Sequence, residues 1–175
     1  MLRGKMRQST FTRLLSKGAV PLAAALMLSS CGFHLQGRQP LPDAFAYTYV
    51  DTTDEQTDFV QDLRKALLAS GVKVIRTEGS AGATISVHED ELSERILSVS
   101  ARNIPTEYEL TYRVRFSVLS GGNTLIDKEE VAATREITFD ETQLLAKERE
   151  TEILREALAR DLVALVMRRI ASLPK

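Results

Sequence analysis

Cysteine and long apolar runs are scarce in this sequence of 175 residues, and each scarcity removes a class of protein. Cys31 is the only cysteine, so no disulfide can form within the chain and the fold must be held together by burial. The apolar stretch at 19–28 is about 10 residues long, roughly half of what a helix needs to cross a bilayer. The sequence therefore predicts neither a disulfide-stabilised domain nor a membrane span in this stretch.

Residues that carry chemistry are equally sparse. His34 and His88 are the only histidines, and they lie far apart with no second ligand type nearby, which argues against a metal site. No Gly-x-Ser-x-Gly motif occurs, and no glycine cluster has the spacing of a phosphate-binding loop. An acidic cluster at 89–94 has two interpretations, a divalent cation site or, more commonly, a solvated strand edge. The sequence thus predicts a protein that is not an enzyme and uses no cofactor or metal.

The N-terminus carries the pattern of a secretory signal. Basic residues come first, the short apolar stretch follows, and Leu28-Ser29-Ser30-Cys31 stands at its end. This tetrapeptide resembles the lipobox of bacterial lipoproteins, in which the thiol is acylated and Cys31 becomes the first mature residue. Gly32 follows where an aspartate would usually signal retention in the inner membrane. The resemblance therefore implies a lipid-anchored protein of the outer membrane that faces the periplasm.

Cleavage before Cys31 would divide the chain into three parts. We predict a signal peptide at 1–30, a lipidated N-terminus and tether at 31–43, and one domain at 44–175. Five of the 23 basic residues leave with the signal, so the mature chain keeps 18 basic against 24 acidic residues, a net charge near −6. This balance gives no electrostatic reason to expect nucleic-acid binding.

The first half of the domain has the pattern of a strand, a helix and a second strand. Residues 45–50 are rich in aromatic and β-branched side chains, which favours a strand. Thr53 and Gln56 have capping-box spacing and predict a helix start, and Gly71 lies where the helix would end. An apolar strand at 72–75 follows. A strand, a helix and a strand with short connections predict a parallel pair.

The middle of the domain predicts long antiparallel strands. Over 107–118 every even position is apolar or aromatic and every odd position is polar or charged, which indicates one buried and one wet face. Gly121 and Gly122 predict a tight hairpin into a strand at 125–139. Residues 83–101 also have strand character, but their apolar parity changes near the acidic cluster. That change predicts a bulge or a break there.

The last third predicts one long helix. Asp140 and Gln143 have capping-box spacing, and an apolar stripe at helical spacing follows. The members of that stripe are Leu144, Ile153, Leu154, Ala157, Leu158, Leu162, Leu165, Val166 and Ile170. Together the elements predict an α+β two-layer sandwich, with two helices packed on one face of a mixed four- to five-stranded sheet.

Two cations distant in sequence are expected at one end of this sheet. Arg102 falls in the turn between the two central antiparallel strands, and Lys147 lies about two turns into the last helix. The strand directions bring the start of that helix to the same end as Arg102. Such a pair suits a phosphate or a carboxylate. The alternative is that they are two ordinary solvated cations.

Several short motifs, in this order along the chain, resemble the LPS-assembly lipoprotein LptE family. They are the mature start Cys31-Gly32-Phe33-His34-Leu35, the strand start Thr106-Glu107-Tyr108 after Arg102, and Asp140 with Ala146-Lys147 at the last helix. The resemblance implies an outer-membrane lipoprotein that partners and plugs the β-barrel LptD, assists its assembly and binds lipopolysaccharide (LPS) during insertion into the outer leaflet. It also implies that Arg102 and Lys147 contact LPS. The alternatives are a scaffold lipoprotein of another envelope-assembly complex without LPS contact and a periplasmic lipoprotein enzyme.

Overall fold

The protein is a five-stranded mixed sheet with two helices on one face. The structure, a computed structural model, describes residues 40–138 and 144–174. Its elements in chain order are β1 (Tyr47–Thr52), α1 (Asp58–Ala69), β2 (Lys73–Ile75), β3 (Ala83–Val99), β4 (Pro105–Ser120), β5 (Asn123–Thr138) and α2 (Leu144–Ala171). The predicted α+β two-layer class is confirmed.

The sheet order is β2-β1-β3-β4-β5. β1 runs parallel to both β2 and β3, whereas β3, β4 and β5 form antiparallel pairs. The predicted parallel pair on either side of the first helix is therefore present. Gly121 and Gly122 both have positive φ angles, 55° and 80°, which glycine adopts without strain, and they close the predicted hairpin between β4 and β5.

The core lies between the sheet and the two helices, as the alternation in β4 predicts. Six even-numbered side chains of β4 point toward the helices, and the five from Leu110 to Val118 are buried. The helices contribute a second apolar layer, chiefly Phe59, Leu63 and Leu67 of α1 and, from α2, Leu158, Leu162, Val166 and Ile170. Two predicted members of the α2 stripe, Ile153 and Leu165, are instead exposed. They lie off the line of positions four residues apart that faces the sheet.

Helix α1 begins four residues later than the capping-box pattern predicts. Thr57, not Thr53, is the N-cap residue, and its Oγ1 accepts a hydrogen bond of 3.3 Å from the Val60 amide. Asp54 instead holds the preceding loop, because its Oδ1 accepts a 2.8 Å hydrogen bond from the Gln56 amide. The proposed caps of α2, Asp140 and Gln143, lie outside the described residues.

The pairing of β3 with β4 shifts register at His88, and again between Ile96 and Val99 near the end of the strand. Val87 is opposite Phe116 and Glu89 is opposite Arg115, so His88 has no partner of its own and forms a β-bulge. Before the bulge, odd positions of β3 face the helices, and after it the even positions do. The predicted change of parity is confirmed, and it falls at the start of the acidic cluster.

Gly82 marks a close approach of two backbones. Its amide donates a 2.8 Å hydrogen bond to the carbonyl of Tyr47, and a Cβ atom at this position would lie 2.4 Å from the carbonyl oxygen of Ala44. At Gly79, three residues earlier, a Cβ atom would have no other atom within 4 Å. Of these two glycines, packing therefore requires only Gly82.

We predict that Gly82→Ala lowers the free energy of unfolding by about 1–3 kcal/mol, because the new methyl group must displace backbone. Gly79→Ala is the matched control and should leave stability unchanged or raise it by a few tenths of a kcal/mol, roughly the gain from restricting the unfolded chain. Urea denaturation measures both. Equal stability of the two variants would contradict the prediction.

Candidate functional site

The end of the β3–β4 hairpin carries the first predicted site residue. The loop between the strands is closed by a 2.8 Å hydrogen bond from the Ser100 amide to the Ile104 carbonyl and a 2.9 Å bond from the Asn103 amide to Ser100. Asn103 has a φ of 60°, a left-handed conformation that asparagine tolerates better than most residues. Arg102 is exposed at the tip of this loop, as predicted.

Lys147 lies in the first turn of α2 and is fixed by two neighbours. Its Nζ donates a 3.0 Å hydrogen bond to Oε1 of Glu94 on β3 and stands 3.4 Å from the centre of the Tyr108 ring on β4. Partial burial lowers the pKa of Lys147, but hydrogen bonds to Glu94 and Tyr108 outweigh this effect and leave the pKa raised. The Lys147 side chain is 22% exposed, so its ammonium group, which lies against the face of the Tyr108 ring, keeps a positive charge partly accessible to solvent.

The structure places Arg102 and Lys147 toward the same end of the sheet. The ring of Tyr108, against which Lys147 lies, belongs to a residue that pairs with Ile96, six residues before Arg102 along β3 and its loop.

β3 has neighbours on both sides only as far as Val87, where its pairing with β1 ends, so the acidic cluster at 89–94 lies on a stretch of β3 that is paired with β4 alone. Three of its four carboxylates have protein partners: Glu89 pairs with Arg115, Asp90 with Tyr112 and Thr57, and Glu94 with Lys147. Within residues 40–138 and 144–174, no group of three or more His, Cys, Asp or Glu residues is arranged to hold a metal ion. The pairing thus agrees with the strand-edge interpretation, and the bulge turns two of these carboxylates, Asp90 and Glu94, toward the helices, where they bind other side chains.

Asp90 of β3 connects its own strand to β4 and to the start of α1. Its Oδ1 accepts a 2.6 Å hydrogen bond from the hydroxyl of Tyr112 on β4, and its Oδ2 accepts one from Thr57, the N-cap residue of α1. Burial, and then the hydrogen bond to the Asp90 carboxylate, strongly raise the pKa of Tyr112, so this tyrosine stays protonated. Sequence reasoning missed the link, since it depends on the register that the bulge sets.

The sheet face opposite the helices is polar and connected by ion pairs. Arg115 contacts Glu89 at 3.0 Å and Glu130 at 2.9 Å, and hydrogen bonding to Glu130 followed by the charge of Glu89 raises its pKa. Arg113 also contacts Glu130, at 3.1 Å, and Arg95 contacts Glu109 at 2.9 Å. These pairs run across β3, β4 and β5, so this face offers exposed charges of both signs in fixed positions. The polar face expected from the odd positions of β4 is present.

The family of the chain follows from its sequence as well as from this geometry. The model of the LptE family, described as lipopolysaccharide-assembly, matches residues 45–170, which include nearly the whole two-layer sandwich. The chain therefore belongs to the LptE family. No helix among the described residues has the length and apolar character needed to cross a membrane.

Curated relatives and solved structures agree with this assignment. The LPS-assembly lipoprotein LptE of Pectobacterium atrosepticum is 23% identical over 171 residues, covering 96% of this chain and 88% of that protein. The LptE of Yersinia pestis strain Pestoides F is 23% identical, over 77% of this chain and 65% of its own length. A lipoprotein B from Nitrosomonas europaea is 28% identical, with a TM-score of 0.67 over 81% of this chain and 91% of that one. The rare lipoprotein B of Shewanella oneidensis, 24% identical with a TM-score of 0.64 over 72% of this chain and 94% of that one, shares the fold.

We predict that Tyr112→Phe lowers the free energy of unfolding by about 1–2 kcal/mol, because the partly buried carboxylate of Asp90 loses the hydrogen bond that the Tyr112 hydroxyl donates. Tyr49→Phe is the control, since no hydrogen bond joins the Tyr49 hydroxyl to another described residue. The pKa of Tyr112 in the folded protein is raised above its ordinary value of 10. The protonated hydroxyl therefore contributes fully to the free energy of unfolding below pH 10, and this contribution is lost as the pH rises further. Chemical denaturation at pH 7 and pH 10.5 should therefore show a smaller alkaline loss for Tyr112→Phe than for wild type.

Proposed function

We propose that this chain is an outer-membrane lipoprotein that partners and plugs an LptD-type β-barrel, assists the assembly of that barrel and binds LPS as it enters the outer leaflet. The observation that carries the proposal is the family match over residues 45–170. Relatives named LPS-assembly lipoprotein support it. Membership of an LPS-assembly family also supports the prediction that the chain is not an enzyme.

The anchor in this proposal is Cys31. Acylation of its thiol would supply about 0.8 kcal/mol for each methylene buried in the bilayer, and several chains together hold a protein at the membrane permanently. About 12 residues separate Cys31 from the first described turn at Asp43, a tether that spans no more than about 40 Å when extended. The domain would therefore work close to the periplasmic surface of the outer membrane.

The polar sheet face supports the plug. The lumen of a membrane β-barrel is polar, so a protein that fills it must present hydrophilic surface and keep its apolar side chains inside. The ion pairs of Arg113 and Arg115 with Glu130 do this on the face opposite the helices. Exposed charges of both signs at fixed positions favour a single register with a partner and contribute less to affinity.

Arg102 and Lys147 are the proposed LPS contacts. The phosphates of lipid A are anionic, whereas the mature chain is acidic overall, so cations are needed locally. Lys147 already contacts Glu94, so a phosphate must compete with that carboxylate for the ammonium group. A phosphate has more charge and more acceptor oxygens than a carboxylate, and this difference favours the exchange.

We predict that the tagged protein, extracted from outer membranes, co-purifies with a large β-barrel protein and has a mass corresponding to a chain that begins at an acylated Cys31. The same protein with Arg160→Gln, a change on the exposed side of α2, is the control and should retain the barrel. Recovery of a different envelope complex would favour a scaffold role without LPS contact. A bare thiol would contradict the anchor.

We predict that the double variant Arg102→Gln/Lys147→Gln binds LPS roughly tenfold more weakly, because two charge-assisted contacts are lost. The effect should be larger at low salt than at moderate salt, since exposed charges are screened. Lys73→Gln/Arg160→Gln is the matched control. Lys73 also lies over a tyrosine ring, 5.1 Å from the centre of Tyr47, but at the other edge of the sheet. Equal LPS binding by both double variants would exclude the assigned cations.

A further inference from the structure

Large apolar side chains are exposed at the outer end of β3, where the strand is paired with β4 alone. Ile96 is 52% exposed, Leu97 38% and Val99 50%, so three of four consecutive residues present apolar surface to solvent. Neighbouring strand residues point to opposite faces, and the pairing shifts register twice between Ile96 and Val99, so these side chains lie around the edge of β3 and not on one face of the sheet. We call these three residues the hairpin-end patch. An isolated exposed apolar residue needs no explanation, but a cluster of this kind on a surface that is otherwise rich in ion pairs indicates a binding surface.

The hairpin-end patch lies between the two cations. Ile96 is directly opposite Tyr108, so both side chains are on the same face and are about 5 Å apart at their Cβ atoms, and Lys147 stands on that tyrosine ring. At the other end of the patch, Val99 pairs with Pro105 and precedes Arg102 by three residues. A cation, an apolar surface and a second cation therefore follow one another along a single hairpin.

The patch is held in place before any ligand arrives. A 3.0 Å hydrogen bond between the hydroxyls of Ser98 and Thr106 joins the strands in its centre, and Lys147 ties the same strands to α2 through Glu94 and Tyr108. Exposed apolar side chains on a preorganised surface lose little conformational freedom on binding.

We propose that the hairpin-end patch binds acyl chains of lipid A while Arg102 and Lys147 contact its phosphates. This inference rests on the proposed LPS-binding function and adds which part of LPS the protein recognises. The order of cation, apolar surface and cation matches an amphiphile that has more than one phosphate and several acyl chains. A polar barrel lumen matches the ion-paired sheet face but not this patch, which is why the lipid is the better occupant.

The test compares two lipids and two double variants of the full-length lipoprotein. Ile96→Thr/Val99→Thr removes apolar surface and keeps β-branched side chains that suit a strand. Leu119→Thr/Leu125→Thr is the matched control, because these residues are 39% and 36% exposed at the opposite end of the same sheet. The lipids are intact LPS and O-deacylated LPS, which keeps its phosphates and loses its ester-linked chains. Thermal melting followed by circular dichroism verifies that each variant is folded.

We expect the patch variant to bind intact LPS roughly tenfold more weakly than wild type, since the apolar surface buried against acyl chains is lost. Binding of O-deacylated LPS should be weakened by a smaller factor, because this lipid keeps only its amide-linked chains, and the control variant should bind both lipids as wild type does. Equal weakening toward both lipids, or no weakening toward either, would overturn the inference. So would a patch variant that binds LPS normally but no longer co-purifies with a β-barrel. If wild type binds neither lipid, the proposed LPS-binding function itself is wrong.

Discussion

The β-bulge at His88 determines which side chains in the second half of β3 face the helices. Because His88 bulges out of the pairing with β4, side chains after it change faces. Asp90 then points toward α1 and holds its N-cap, and Glu94 points toward α2 and holds Lys147. Without the bulge, these carboxylates would lie on the opposite face of the sheet, and neither helix would have its polar attachment to β3. The bulge is thus the constraint that connects the core to the end of the sheet that carries Lys147.

The surface of the domain is divided between two kinds of chemistry. The sheet face opposite the helices carries ion pairs, so a partner on this face would have to supply a matching pattern of charges. The hairpin end instead combines exposed Ile96 and Val99 with Arg102 in a tight loop and with Lys147, which lies against an aromatic ring. The proposed contacts with a polar partner and with a lipid would need two such surfaces, and these lie on different parts of the same long strands.

The sequence predicts those parts of the fold that depend on local patterns. Strict alternation gives β4, two adjacent glycines give the turn after it, and a change of apolar parity gives the irregularity in β3. Features that depend on register are not predictable in this way. The capping box at Thr53 was wrong because Thr57 is stabilised by Asp90 from a distant strand. Arg102 and Lys147 were placed at the correct end of the sheet, but the contact of Lys147 with Glu94 follows only from which residues pair across the strands.

The free edge of β5 has a further consequence. This strand of 16 residues has no neighbour on its outer side, and Lys128 introduces a left-handed kink, with a φ of 41°, where the pairing with β4 shifts. A long, flat and unpaired edge would recruit extended segments from other polypeptides, the first step of fibril growth. The kink and the charged side chains beside it interrupt that template. The outer edge of β5 is thereby a poor template for strand addition, and this would matter for a protein that, as proposed, helps a β-barrel to assemble.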